Sequence, residues 1–329
     1  MTRRRDRIAL VSELARLGRE HLAPLEPSFE LVERHELDNV RDEHVLVDGL
    51  NRAWGVVAGS EAYTEQTLSR LPDLRIIARC GVGFDAIDVD AATAHAVVVS
   101  TTPDANADGV ADLALALMLA CLRRLLLTDR SARAGAWRPP GLGGDLSYAT
   151  VGVIGLGRIG RNVVRRLDGF GCRLLAVEPS PDQDFCHEYG VELVQLETLL
   201  SAVDVLSIHV PLTKSTRKLI GVGELALMKP SAVVINTSRG GIIDEQALID
   251  ALTNDRIAAA GLDVYEREPL TADHPLTTLD NVVLSPHAAS FSRLSVERML
   301  SAVCASITDA AEGRLPTGCI NPGAWVVEQ

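Results

Sequence analysis

Short β-branched runs recur along this chain with the rhythm of a strand–helix repeat, and that rhythm restricts the fold more than any other feature. IALVS, WGVVAG, LRIIAR and AVVVS lie in the first third; TVGVIG, RLLAVE, VDVLSIHV, AVVINTS, AAAGLDV and NVVLS follow, separated by longer segments of helical period. Continuously apolar strands alternating with helices predict parallel sheets covered on both faces, the doubly wound α/β arrangement with right-handed crossovers. Ligands of such sheets sit at the carboxyl ends of the strands. A length of 329 residues, set against roughly 150 per domain, predicts two domains. Pro103 and the polar stretch from Asp104 to Asp108 mark a candidate boundary.

Several classes of protein are excluded early. With 32 Lys and Arg against 44 Asp and Glu, the net charge of −12 repels phosphodiester backbones and anionic lipid, so neither nucleic acid nor membrane is expected as a partner. Cys80, Cys121, Cys172, Cys186, Cys304 and Cys319 lie far apart, without CxxC or Cys/His ligand spacing. No disulfide framework and no metal site are expected, and reduced thiols predict the cytoplasm. The basic opening MTRRRDR precedes too short an apolar run, Ile8 to Val11, for a signal peptide; that run reads as a first strand. The longest apolar stretch, Leu113 to Leu122, has 10 residues, whereas a bilayer core of about 30 Å needs roughly 20. The stretch has no polar face and is expected to be buried all round, at a domain or subunit interface or as the central helix of one domain. Arg130 to Ala149, rich in Gly and Pro, reads as a surface loop.

The chemistry concentrates after strands. TVGVIGLGRIG places Gly155, Gly157 and Gly160 in a GxGxxG between a strand and a helix. Gly155 suits a tight turn, Gly157 a close approach of backbone to pyrophosphate, and Gly160 close packing of helix on sheet, with the Arg158 and Ile159 amides facing the anion. Glu178 ends the next strand, 178 − 160 = 18 residues on, near the spacing of the acidic residue that accepts from a ribose diol. A carboxylate there repels a 2′-phosphate, so NAD is predicted over NADP. Further on, His287 in SPHAAS offers general acid/base chemistry near neutral pH. Glu268 in DVYEREP offers a carboxylate to favour its imidazolium, and Arg239 in INTSRGG a guanidinium fork for a substrate carboxylate.

From about Gly55 to Pro322 the chain resembles the D-isomer-specific 2-hydroxyacid dehydrogenases. The likeness is carried by RCGVGFDAIDVDAA, VGVIGLGRIG, HVPLTKSTRKLI, MKPSAVVINTSRGGIIDEQAL, AAAGLDVYEREP and NVVLSPHAAS. It implies a Rossmann NAD-binding domain, 106–293, inserted into a flavodoxin-like substrate-binding domain formed by 1–105 and 294–329, and a homodimer. It implies that Arg239 holds the substrate's carboxylate and carbonyl, that His287 donates the proton in reduction and that Glu268 pairs with His287, with Arg239 and His287 also bordering the cofactor. The backbone amides of Val82 and Gly83 would complete the carboxylate site. Val210 and Pro211 would flank the adenine, Thr237 and Ser238 line the nicotinamide ribose, and Asp263 orient the nicotinamide through its carboxamide.

The resemblance divides over the substrate. TPD and ADLA fragments are similar to glyoxylate and hydroxypyruvate reductases, while RLPDLRIIARCGVGFDAIDVDAA and Ala105-Asn106-Ala107 are similar to phosphoglycerate dehydrogenases. A buried Asp104 facing the substrate would oppose a phosphorylated one. The chain ends soon after Pro322, so the regulatory domain appended to some phosphoglycerate dehydrogenases is not expected. The expected reaction is reversible hydride transfer between NAD(H) and C2 of a small 2-hydroxyacid or 2-oxoacid. Two alternatives share the scaffold: an NAD(H)-sensing binding protein, and oxidation of a small oxyanion such as phosphite.

Overall fold

The structure is a computed structural model that describes residues 5–139 and 141–325. The start of the basic opening and Pro140, in the predicted surface loop, lie outside the described residues. The chain divides into two units, Met1–Asn106 with Ser290–Gln329, and Ala107–Ala289.

The first unit holds a five-stranded sheet of β1 (Asp6–Leu10), β2 (Phe29–Glu33), β3 (Ala53–Ala58), β4 (Ile76–Arg79) and β5 (Val98–Ser100). Its order is β2-β1-β3-β4-β5 and every pairing is parallel. The second holds β6 (Thr150–Ile154), β7 (Arg173–Val177), β8 (Val191–Leu193), β9 (Val205–Ile208), β10 (Val233–Asn236), β11 (Ala259–Leu262) and β12 (Val282–Leu284). Their order is β12-β11-β10-β9-β6-β7-β8, again all parallel. Each sheet carries two separate clusters of buried apolar side chains, so both faces are covered, as near-continuous runs such as VVIN and VLSI require. The strand orders are the two common doubly wound ones, the second extended by one strand, and each reverses direction beside its first strand. In the larger sheet that switch point lies between β6 and β9.

Three expectations need correction. FELVE and VEL form β2 and β8, two strands the apolar-run pattern passes over. Both are edge strands with exposed glutamates, and an edge needs neither two buried faces nor a continuous apolar run. Part of the supposed Arg130–Ala149 loop is helical, because Leu125–Arg133 forms a helix with no buried residue. The Ala107–Leu122 helix is not buried all round in the single chain. Ala114, Leu117, Met118 and Cys121 pack into the core, Asp112 and Ala116 are exposed, and Leu113, Leu115, Leu119 and Leu122 are only partly covered. Asp104 is exposed, with φ of 69°, so the burial that would set it against a phosphorylated substrate is not found. No described helix is long and apolar enough to cross a membrane, and the described residues hold no cluster of three or more metal-ligating side chains.

Candidate active site

The glycine loop follows β6 as its sequence demands. Gly155 takes φ of 92°, and a Cβ there would lie 2.6 Å from the His209 carbonyl oxygen. A Cβ at Gly160 would lie 2.0 Å from the Gly155 carbonyl oxygen, so the Arg158–Asp168 helix approaches the turn as only glycine permits. At Gly157 the space is open to 4 Å. The Arg158 and Ile159 amides occupy the first turn of this helix, where N–H groups point outward along the axis.

Glu178 follows β7 and reaches back to the loop: its Oε2 accepts from the Leu156 N–H at 2.8 Å and its Oε1 from the Ser180 N–H at 3.0 Å. Its carboxylate therefore sits on the glycine turn. Sequence reasoning missed Arg161, which donates to the Leu156 carbonyl and to Asp182 Oδ2 at 2.8 Å, placing a cation close to the predicted ribose site. Its place one helical turn past Gly157 was the available signal.

Along the carboxyl edge, Val210 packs beside Gly155 and Pro211 is exposed. The Ser238 hydroxyl donates to the Ile208 carbonyl at 2.7 Å, pinning the loop after β10 to β9. Thr237 Oγ1, by contrast, is buried with no hydrogen-bond partner among the described residues. An open glycine cradle, an outward-facing helix N-terminus, a carboxylate on the turn and an orphaned hydroxyl are what a bound dinucleotide would need, and these residues fit one.

The candidate reacting groups come from three loops of the same unit. Asn236 organises the first: its Nδ2 donates to the Arg239 carbonyl at 2.8 Å and its Oδ1 accepts from the Ser238 N–H at 3.0 Å. Arg239 is partly exposed there and donates from Nη1 to the Ser238 carbonyl. The next residue has to be glycine, because a Cβ at Gly240 would lie 1.9 Å from the Tyr265 carbonyl carbon. The Arg239 turn thus lies directly against the Tyr265–Glu268 loop.

Glu268 Oε2 meets His287 Nδ1 at 2.7 Å, and Oε1 accepts from the Tyr265 N–H at 3.1 Å. Burial pushes the Glu268 carboxyl upward, but the His287 hydrogen bond and charge, the Tyr265 amide and the Arg239 charge outweigh it and hold the group below its ordinary value. Glu268 is therefore a carboxylate at neutral pH. Its contact engages Nδ1 and leaves Nε2 as the ring nitrogen that a reacting group could use.

His287 has φ of 53°, an uncommon left-handed conformation. Asp263, fully buried at the end of β11, holds that turn. Its carbonyl accepts from the His287 N–H at 2.8 Å, Oδ1 from the Ala288 N–H at 2.7 Å and Oδ2 from the Ala289 N–H at 3.0 Å. The Tyr265 hydroxyl donates to the Ser285 carbonyl at 2.8 Å and closes the same loop. Sequence reasoning missed Asn236, Gly240 and Tyr265 as supports, although each neighbours a predicted residue. Val82 and Gly83 belong to the other unit, in the loop after β4, where the Val82 side chain is 39% exposed. The Gly81 N–H donates to Thr102 Oγ1 at 3.0 Å and fixes the start of that loop.

Residues 115–289 match the family model described as D-isomer specific 2-hydroxyacid dehydrogenase, NAD binding domain. The chain is 40% identical over 302 residues to a glyoxylate reductase from Korarchaeum cryptofilum, covering 88% of this chain and 91% of that protein. It is also 40% identical over 267 residues to a D-3-phosphoglycerate dehydrogenase from Archaeoglobus fulgidus, covering 81% of this chain but 51% of that longer protein. Among solved structures, the TT0316 protein from Thermus thermophilus superimposes with a TM-score of 0.86 at 33% identity, covering 95% of this chain and 99% of the other.

Proposed function

The chain belongs to the D-isomer-specific 2-hydroxyacid dehydrogenase family, and from that premise we propose that it reduces a small 2-oxoacid with NADH, reversibly, through Arg239, Glu268 and His287. The observation that carries the reading is the 2.7 Å contact between His287 and an ionised Glu268, in the unit that holds the dinucleotide cradle. The nicotinamide cofactor, when bound, supplies or accepts the hydride at C2. The protein's task is the proton and the charge. His287, held at Nδ1 by Glu268, gives its Nε2 proton to the carbonyl oxygen during reduction and takes it back during oxidation. Arg239 pairs with the carboxylate and stabilises charge developing on the carbonyl oxygen. Thr237, Ser238, Val210, Pro211 and the glycine loop hold the cofactor.

The test is direct: purified protein, NADH and a panel of glyoxylate, hydroxypyruvate, 3-phosphohydroxypyruvate and bulkier 2-oxoacids, followed by loss of the reduced-nicotinamide absorbance. Turnover of at least one member is expected. NADH binding without turnover on any of them would overturn the enzymatic reading.

Glu268→Gln checks the coupling. The carboxylate meets His287 Nδ1 at 2.7 Å, and glutamine keeps its shape without its charge, so reduction should slow by about tenfold, the effect of one weakened charge-assisted hydrogen bond, with NADH affinity little changed. An unchanged rate would separate the two residues.

Glu178 should read the adenine ribose diol and repel a 2′-phosphate. Glu178→Ala should raise the relative use of NADPH by about tenfold, the effect of roughly 1.4 kcal/mol of lost discrimination. The kcat/KM ratio for the two cofactors measures it, and the presence of Arg161 beside Asp182 makes NADPH use by the variant the more expected. An unchanged ratio would assign the choice to another group. The partly covered leucines of the Ala107–Leu122 helix, with Leu125, Leu126 and Trp137 exposed just beyond, favour a homodimer formed on this face; sedimentation as a monomer would exclude it.

A further inference from the structure

At the carboxyl end of β9, His209 has a ring whose hydrogen bonding is half complete. Its Nε2 lies 2.8 Å from the Oγ of Ser207, a fully buried residue two positions back along the strand. Its Nδ1 is buried with no hydrogen-bond partner among the described residues. Burial pushes the imidazole down to about 4, so the ring is neutral at physiological pH.

A neutral imidazole has one N–H and one lone pair, and the serine decides which nitrogen carries which. With the Ser207 hydroxyl donating to Nε2, only the Nδ1 N–H is left without a partner. With the reverse arrangement, the Nδ1 lone pair and the Ser207 O–H are both left over, since that hydroxyl makes no other hydrogen bond among the described residues. An orphaned buried group is costly, so the first arrangement is favoured and His209 presents a donor in need of an oxygen.

The backbone places His209 beside the glycine loop. The His209 N–H donates to the Ile154 carbonyl at 2.8 Å, and its own carbonyl is the atom that forbids a side chain at Gly155. His209 therefore stands on the glycine turn, where β9 leaves β6 at the switch point. On the neighbouring strand, Ile208 is in register with Asn236, and the residue after Asn236 is Thr237, only 7% exposed, whose Oγ1 is the second orphan of this edge.

We propose that His209 is a further dinucleotide-reading residue, a neutral imidazole whose Nδ1–H donates to a phosphate or ribose oxygen of the bound cofactor. The proposal rests on reading this edge as the cofactor site. A neutral donor suits the position, because it satisfies an oxygen without adding charge beside the helix N-terminus that already faces the phosphates.

The experiment uses the full chain. NADH fluorescence titrations compare the wild type with His209→Leu and Ser207→Ala, and 15N-histidine NMR follows the ring nitrogens as NAD is added. His209→Leu should weaken NADH binding about tenfold with the thermal midpoint nearly unchanged, and Ser207→Ala should weaken it less. The wild-type ring should show a protonated Nδ1 whose resonance shifts on NAD addition. Inorganic pyrophosphate alone and nicotinamide riboside alone then separate the two sources of oxygen, according to which of them moves that resonance. Wild-type binding of NADH with equal binding by His209→Leu and a stationary Nδ1 resonance would overturn the proposal. If His209→Leu does not fold, the NMR result decides alone. Failure of the wild type to bind NADH would instead remove the cofactor reading on which the proposal rests.

Discussion

His287→Asn should reduce the rate of 2-oxoacid reduction by about 10²- to 10⁴-fold, the usual contribution of a positioned general acid, while NADH affinity changes little. Asparagine is the better replacement because of the backbone. His287 stands at φ of 53°, where asparagine is tolerated and alanine would add strain of its own. The loss then reports on the proton donor and not on a rearranged loop. Stopped-flow reduction with saturating NADH measures the hydride step, and a separate titration measures cofactor binding. A variant that retains the wild-type rate would take His287 out of the reaction, and with it the purpose of the Glu268 contact.

Much of this arrangement was legible in the chain itself, and for a physical reason. Strands buried on both faces must be apolar throughout, so all five central strands of the larger sheet, β11-β10-β9-β6-β7, announce themselves, and residues immediately after them fall at the edge where ligands bind. Arg239, Glu268 and His287 could be placed there by counting from strand ends. The glycine loop was legible because its constraints are steric and local, as the contact between Gly160 and the Gly155 carbonyl shows. What could not be read was set by tertiary contacts. FELVE and VEL are strands because a sheet edge accepts their glutamates. LLLTDRSAR is a helix although it buries nothing. Arg161 is distant in sequence from Asp182 and meets it only through the fold. Asp263 differs again. The family likeness suggests a contact with the cofactor's carboxamide, and no pattern of residues could have indicated that both of its oxygens are engaged by the His287 loop.

That engagement makes Asp263→Asn the second large effect expected. An asparagine amide matches the shape of the carboxylate but turns one acceptor into a donor. Whichever way it is oriented, either the Ala288 or the Ala289 N–H then faces an NH₂ group in a site with no solvent exposure. An unsatisfied buried donor costs about 1–3 kcal/mol, which should appear as a lowered thermal midpoint. The catalytic consequence should be larger than the thermal one, because the two amides follow His287 directly and hold it in its left-handed turn. Release of that turn shifts the imidazole against Glu268, and a displacement of about 1 Å in a reacting group can cost about 10²-fold in rate. A hundredfold fall in the reduction rate, with NADH affinity within a few-fold of wild type, would mark Asp263 as the residue that positions the acid. Weakened NADH binding with an intact rate would mark it as a cofactor contact. The two roles predict opposite patterns in the same pair of measurements, so a single variant decides between what the family likeness implies and what the hydrogen bonds of this fold require.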